Sequence, residues 1–117
     1  MTQEDKELLL KILCAMLPYG VKVTWDGKYP LTVTPHIYCA IVSENNINNL
    51  PKLLLRPMSS MTEEEKRDYQ AFFNYDGVEY PEEYIDWLNA HHFDYRGLIE
   101  KGLALEAPEG MYNIKEQ

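Results

Sequence analysis

The sequence predicts an α+β fold: an N-terminal helix, a small antiparallel four-stranded sheet, then two to three C-terminal helices. Two changes of hydrophobic rhythm carry this. Apolar residues recur at helical spacing up to Leu17, alternate with polar ones from Val21, and return to helical spacing after Thr62. A third observation bounds the result: 117 residues without a long linker, repeat or low-complexity tract make one domain, 1–117, large enough for a core of its own.

Thr2 stands three residues ahead of Asp5, a variant of the capping box, and Leu8, Leu9, Ile12, Leu13, Met16 and Leu17 then share one face, so a helix is expected over 3–17. Pro18-Tyr19-Gly20 ends it. In Val21-Lys22-Val23-Thr24-Trp25 the alternation marks a strand with one buried face. Asp26-Gly27 reads as a hairpin turn, and Leu31-Thr32-Val33-Thr34 as the return strand, with Pro30 tolerable at a strand start or an unpaired edge. His36 to Val42 is more uniformly apolar and reads as a central strand; after the Ser43-Glu44-Asn45-Asn46 turn, a fourth strand is expected between Pro51 and Leu55. Four short strands in this span predict a curled sheet or SH3-like partial barrel, its open end covered by the first helix.

Thr62 ahead of Glu63-Glu64-Glu65 is a full capping box, so a helix is expected from 63 to about 74. Asn74-Tyr75-Asp76-Gly77 breaks it, and Pro81 opens another in which Tyr84, Trp87, Leu88 and His91 share a face. Asp94 is placed to cap a last short helix ended by Gly102, and Leu103 to Tyr112 reads as irregular or briefly extended. Residues 1–61 thus form a helix plus sheet and 62–117 a helical layer, with Pro57-Met58-Ser59-Ser60-Met61 as the joint.

Charge divides along the same line. The chain carries a net −8, but 1–61 contribute six basic and five acidic residues whereas 62–117 contribute five and fourteen, so the acidity belongs to the helical layer. That balance disfavours a phosphate backbone as partner, and nucleic acid is expected only through the near-neutral sheet face, by analogy with small barrels. No apolar run approaches the ~20 residues of a membrane span, and Met1-Thr2-Gln3-Glu4-Asp5 lacks a secretory signal, so a soluble cytoplasmic protein with no membrane partner is expected. Cys14 and Cys39 are flanked by apolar residues without metal spacing and read as small core residues.

The densest chemistry is His91-His92-Phe93-Asp94-Tyr95-Arg96. With Arg56, its His91, His92, Asp94, Tyr95 and Arg96 are the candidate ligand- or partner-binding residues, able in type to move protons or hold an anion. Adjacent histidines on a helix point about 100° apart, so no metal site is expected. The structural alternative packs His91 beside Tyr84 and Trp87, places His92 nearer solvent or Ile85 and Leu88, has Asp94 cap the next helix, and pairs Arg96 with an acidic neighbour. Arg56 with Ser59, Ser60 and Thr62 resembles a phosphate cradle, but three glutamates occupy the same helix turn and favour capping. No nucleophile elbow or phosphate-binding glycine loop occurs, so no catalytic residue and no cofactor is expected. Nine tyrosines supply possible binding anchors, above all Tyr75, Tyr80, Tyr84, Tyr95 and Tyr112 if exposed together.

Cys14 to Val23, Leu55 to Glu65, and His91 to Ile99 with Gly102 to Tyr112 are three stretches that resemble a family of short uncharacterised proteins of Bacteroides-type gut bacteria, their phages and integrated elements. The resemblance implies a mobile-element origin and transfers no activity. From the charge asymmetry and the abundant tyrosine, the leading expectation is a non-enzymatic binding or regulatory protein of a phage or mobile element whose acidic layer engages another protein. A binder of phosphorylated metabolites or nucleotides using Arg56, His91, Tyr95 and Arg96 comes second, and an enzyme with His91 or His92 as general base comes last.

Overall fold

A computed structural model of the chain describes residues 2–74, 77–78 and 81–112. The fold is α+β, in the expected order of helix, sheet and helical layer. Helix α1, Gln3–Met16, is capped by Thr2 in a complete capping box with Asp5. It lays Leu9, Ile12, Leu13 and Met16 on the sheet, each fully buried and contributing about 1.5–3 kcal/mol by leaving water. A single 3₁₀ turn, Leu17–Tyr19, follows, and Gly20 reverses the chain at φ 72°.

Strands β1, Lys22–Thr24, and β2, Leu31–Thr32, form the expected hairpin, with Val23 opposite Leu31. Its turn is longer than the Asp26-Gly27 pair: Asp26 Oδ1 accepts the backbone N–H groups of both Lys28 and Tyr29, closing a loop rather than a two-residue reversal. Pro30 precedes an edge strand, where its missing N–H costs no ladder bond. Strand β3, Lys52–Leu55, begins right after Pro51 and pairs antiparallel with β1.

Two expectations about the sheet are corrected. His36 to Val42 is not a strand but the body of helix α2, Pro35–Ser43. Thr34 accepts the Ile37 N–H at its N-cap and Pro35 fills the first turn, a start signal that outweighs an apolar run with no period of its own. The fourth strand is instead β6, Ala104–Glu106, which lies parallel to β3. The sheet is therefore mixed, in the order β2-β1-β3-β6, and open, with β2 and β6 at its edges rather than closed into a barrel.

The helical layer holds α3, Glu63–Gln70, and α4, Pro81–Ala90, with β4, Phe73–Asn74, and β5, Gly77–Val78, paired between them. Helix α3 is shorter than expected because the chain turns at Ala71 and Phe72 into β4. No helix forms between Asp94 and Gly102; those residues are turns. The N- and C-terminal halves share one aliphatic core, in which Leu98, Leu103 and Ala104 pack with the α1 and β-strand residues. Beside it, Tyr69, Phe72, Tyr84 and Trp87 make a smaller cluster of tilted rings that joins α3 to α4. No helix among the described residues is long and apolar enough to cross a membrane.

The two cysteines are also corrected: Cys14 and Cys39 are free thiols on exposed helix positions, not core residues. On α1 the buried stripe runs through Ile12, Leu13 and Met16 and leaves Cys14 on the opposite side. On α2 only Ile41 is fully buried.

Candidate functional site

Directly after β3 comes Arg56, whose backbone bonds both neighbours of Phe93: its N–H donates to the His92 carbonyl and its carbonyl accepts from the Asp94 N–H, both at 2.8 Å. This bridge brings the end of the sheet to the end of α4. It also aims the Arg56 side chain at α3, where Glu65 takes it in a two-pronged ion pair of 2.6 and 2.7 Å. The guanidinium lies 4.3 Å from the Phe93 ring centre and reaches the Ser60 carbonyl at 3.3 Å. Glu65 meanwhile serves the α3 capping box, accepting the Thr62 N–H at 2.9 Å. Burial alone would raise its carboxyl, but the Arg56 and Thr62 hydrogen bonds and the charges of Arg56 and His91 outweigh that and hold it below its ordinary value.

His91 closes the group. Its Nδ1–H donates to the Trp87 carbonyl at 2.8 Å and its ring lies against Trp87, as the packing alternative expected, leaving Nε2 3.9 Å from Glu65. These three side chains line a cleft of about 710 Å³, within the range of small-ligand sites. One wall is the 57–62 joint with α3. The other is the last residue of β6, Glu106, and the segment that follows it to Tyr112. Four further carboxylates face in, Glu64 and Asp68 from the first wall and Glu106 and Glu109 from the second, and none makes an ion pair among the described residues.

The other candidates do not converge there. His92 is buried, not near solvent, and its Nε2–H donates to the Tyr19 carbonyl at 2.7 Å. Asp94 accepts the N–H groups of Leu98 and Ile99 at 2.7 and 3.0 Å, doing a cap's work on a turn instead of a helix. The Tyr95 hydroxyl donates to Asn89 Oδ1, and Arg96 sits 6.0 Å from the Tyr95 ring centre with no ion pair among the described residues. Ser60 and Thr62 do line the cleft, but the Ser60 hydroxyl donates to Pro57 and that of Thr62 accepts from Glu65, so both are occupied by local structure.

Tyr84, Tyr95 and Tyr112 are all half-buried, and Tyr75 and Tyr80 lie outside the described residues. The most exposed rings among the described residues are others: Tyr29, 76% exposed, and Trp25, 53% exposed, on the β1–β2 loop. Tyr112 is the residue whose role the sequence concealed. Its hydroxyl sits between β1 and β3, accepting the Lys22 N–H at 2.8 Å and donating to the Leu54 carbonyl at 2.7 Å.

Among the described residues no three His, Cys, Asp or Glu side chains come together as a metal site. The chain matches no protein-family model, no curated protein and no solved structure.

Proposed function

We propose that this chain is a non-enzymatic cytoplasmic binding protein whose cleft receives a lysine- or arginine-bearing segment of another protein. One observation carries the reading: Glu64 and Asp68 on one wall oppose Glu106 and Glu109 on the other, while the Arg56 charge on the floor is already cancelled by Glu65. A cleft whose unpaired charges are of one sign focuses its field and draws in the opposite charge. The same balance argues against a phosphorylated metabolite, which would meet four carboxylates and no free guanidinium. Catalysis finds little support, since the His91 Nδ1–H rests on a backbone carbonyl and the Ser60 and Thr62 hydroxyls that share the cleft are taken up by local hydrogen bonds. The stretches resembling the gut-bacterial and phage family make a host or phage protein the natural setting for such a partner.

The test is fluorescence anisotropy of a labelled lysine-rich peptide against the full chain at about 0.15 M salt, where exposed charges are largely screened. The variant E64Q/D68N/E106Q/E109Q should bind at least about tenfold more weakly. A control of equal charge change, E4Q/E7Q/E82Q/E83Q, should bind as the parent does. Equal losses in the two variants would mean unspecific attraction and end the proposal.

A further inference from the structure

Among the described residues, few hydrogen bonds hold the outer wall of the cleft. After the Ala107 N–H, which donates to the Leu55 carbonyl at 2.7 Å, the Tyr112 hydroxyl makes the only hydrogen bonds between residues 108–112 and the rest of the described chain. The Met111 N–H turns back to Pro108 within the strap itself. Tyr112 in turn lies flat on His92, ring centres 3.8 Å apart and planes within 10°.

His92 is an unusual platform. It holds φ 61°, a left-handed conformation costly for a residue with a side chain, and is only 5% exposed. One ring nitrogen donates to Tyr19, whereas Nδ1 is buried with no hydrogen-bond partner among the described residues. An unpartnered imidazole nitrogen is tolerable as a bare lone pair. As an N–H⁺ it would be a buried charge without an acceptor.

We propose that Tyr112 is a proton-released clasp: neutral His92 keeps the 108–112 strap closed, and protonation at Nδ1 expels the ring and swings that wall off the cleft. The groups facing His92 agree in sign. His91 from the end of α4, Arg56 from the end of β3 and Lys22 from β1 each oppose a further positive charge, and only the Tyr19 carbonyl favours one. The face of Tyr112 attracts cations, but it offers no acceptor to the new N–H. Burial, with those charges, pushes His92 down to about 4 from an ordinary 6.5. With the strap open the ring regains water and its ordinary affinity for a proton. The closed-to-open ratio therefore falls up to tenfold per pH unit across that interval, roughly 300-fold in all.

The clasp borders the proposed peptide site, but its test reads the strap with no peptide present, so either reading can fail alone. Nuclear magnetic resonance of the full chain follows the His92 ring, the Tyr112 ring and the Lys22 amide from neutral pH down through 4, with Leu13 methyls reporting the core. The Tyr112 and Lys22 signals should leave their closed positions with the His92 midpoint while Leu13 stays put. Y112F, lacking both hydroxyl bonds, should move that midpoint up toward 6.5, and H92N, whose side chain tolerates the positive φ and does not titrate, should abolish the transition. The proposal is overturned if His92 titrates under an unmoved Tyr112, if the strap departs only together with the core, or if Y112F leaves the midpoint unchanged.

Discussion

Replacing Arg56 with Met tests whether the ion pair at the sheet's end holds the helical layer to the sheet. Methionine keeps an apolar stem against Phe93 but leaves the Glu65 carboxylate with only the Thr62 N–H at 2.9 Å and, 3.9 Å away, His91. Both partners are largely buried, 16% and 12% exposed, so the loss resembles that of breaking a buried pair, about 3 kcal/mol after allowing for the remaining solvent access. For a chain of this size that lowers Tm by roughly 12 °C, and urea unfolding should show a lower midpoint with an unchanged slope.

The pH dependence gives a sharper signature. In the parent, Glu65 lies below its ordinary 4.5, so its contribution is complete above that value and disappears as pH falls through the lowered one. In R56M burial has no guanidinium to oppose it, so Glu65 takes up a proton earlier and relieves itself. The deficit of R56M should therefore be largest at neutral pH and shrink on acidification, and R56M/E65Q should be more stable than the sum of its single changes implies. A deficit under about 1 kcal/mol, or one that does not vary with pH, would refute the reasoning.

Asp94→Ala removes the acceptor for two backbone N–H groups and should cost about 1–2 kcal/mol by urea unfolding, with D94N less damaging because it keeps one carbonyl oxygen; equal losses for both would show that the bonds to Leu98 and Ile99 do not matter. C14S and C39S, changed at exposed positions, should each stay within about 0.5 kcal/mol of the parent, and both thiols should react with an aromatic disulfide reagent in the folded protein. A core-sized loss, or protection until unfolding, would contradict their placement.

Elements that announce themselves over a few consecutive residues were legible in the sequence. Thr2 and Thr62 mark the starts of α1 and α3, and the alternation around Val23 marks β1. Pro51 marks the start of β3 and Pro81 that of α4. Helix α2 escaped because Ile37, Tyr38, Ile41 and Val42 are apolar on several sides, a pattern that suits a buried strand as well as a helix; the decisive residues were the Thr34-Pro35 pair ahead of it. Strand β6 escaped for another reason. It is three residues long and exists only because Ala104 finds Leu53 some fifty positions away. Of the candidate site, Arg56 and His91 were named but not their meeting. That depends on the Arg56–Phe93 bridge, and the one local hint was Glu65, a capping glutamate nine residues downstream of Arg56 across a short joint. His92 and Tyr112 carried no local signal, since neither the positive φ nor the ring stack follows from neighbours in the sequence.

The two proposals bear on one another through the charges of the cleft. Glu64 gains something from the N-terminal end of α3, but Asp68 lies beyond the first turn, Glu106 ends β6 and Glu109 sits on the strap, where no helix dipole favours them. On a chain of net −8, carboxylates facing one another across the cleft push the strap outward, against the hold of Tyr112. A cationic segment seated between the walls removes that repulsion, so it binds the closed form better than the open one. Coupling of this kind is reciprocal: whatever factor the segment adds to closure, closure adds to the affinity for the segment. Acid works in the other direction, protonating His92 beneath the clasp and opening the wall against which the partner is held. Capture at neutral pH and release in acid are then consequences of the same few residues, and the strap, held by one tyrosine, is the element through which they act.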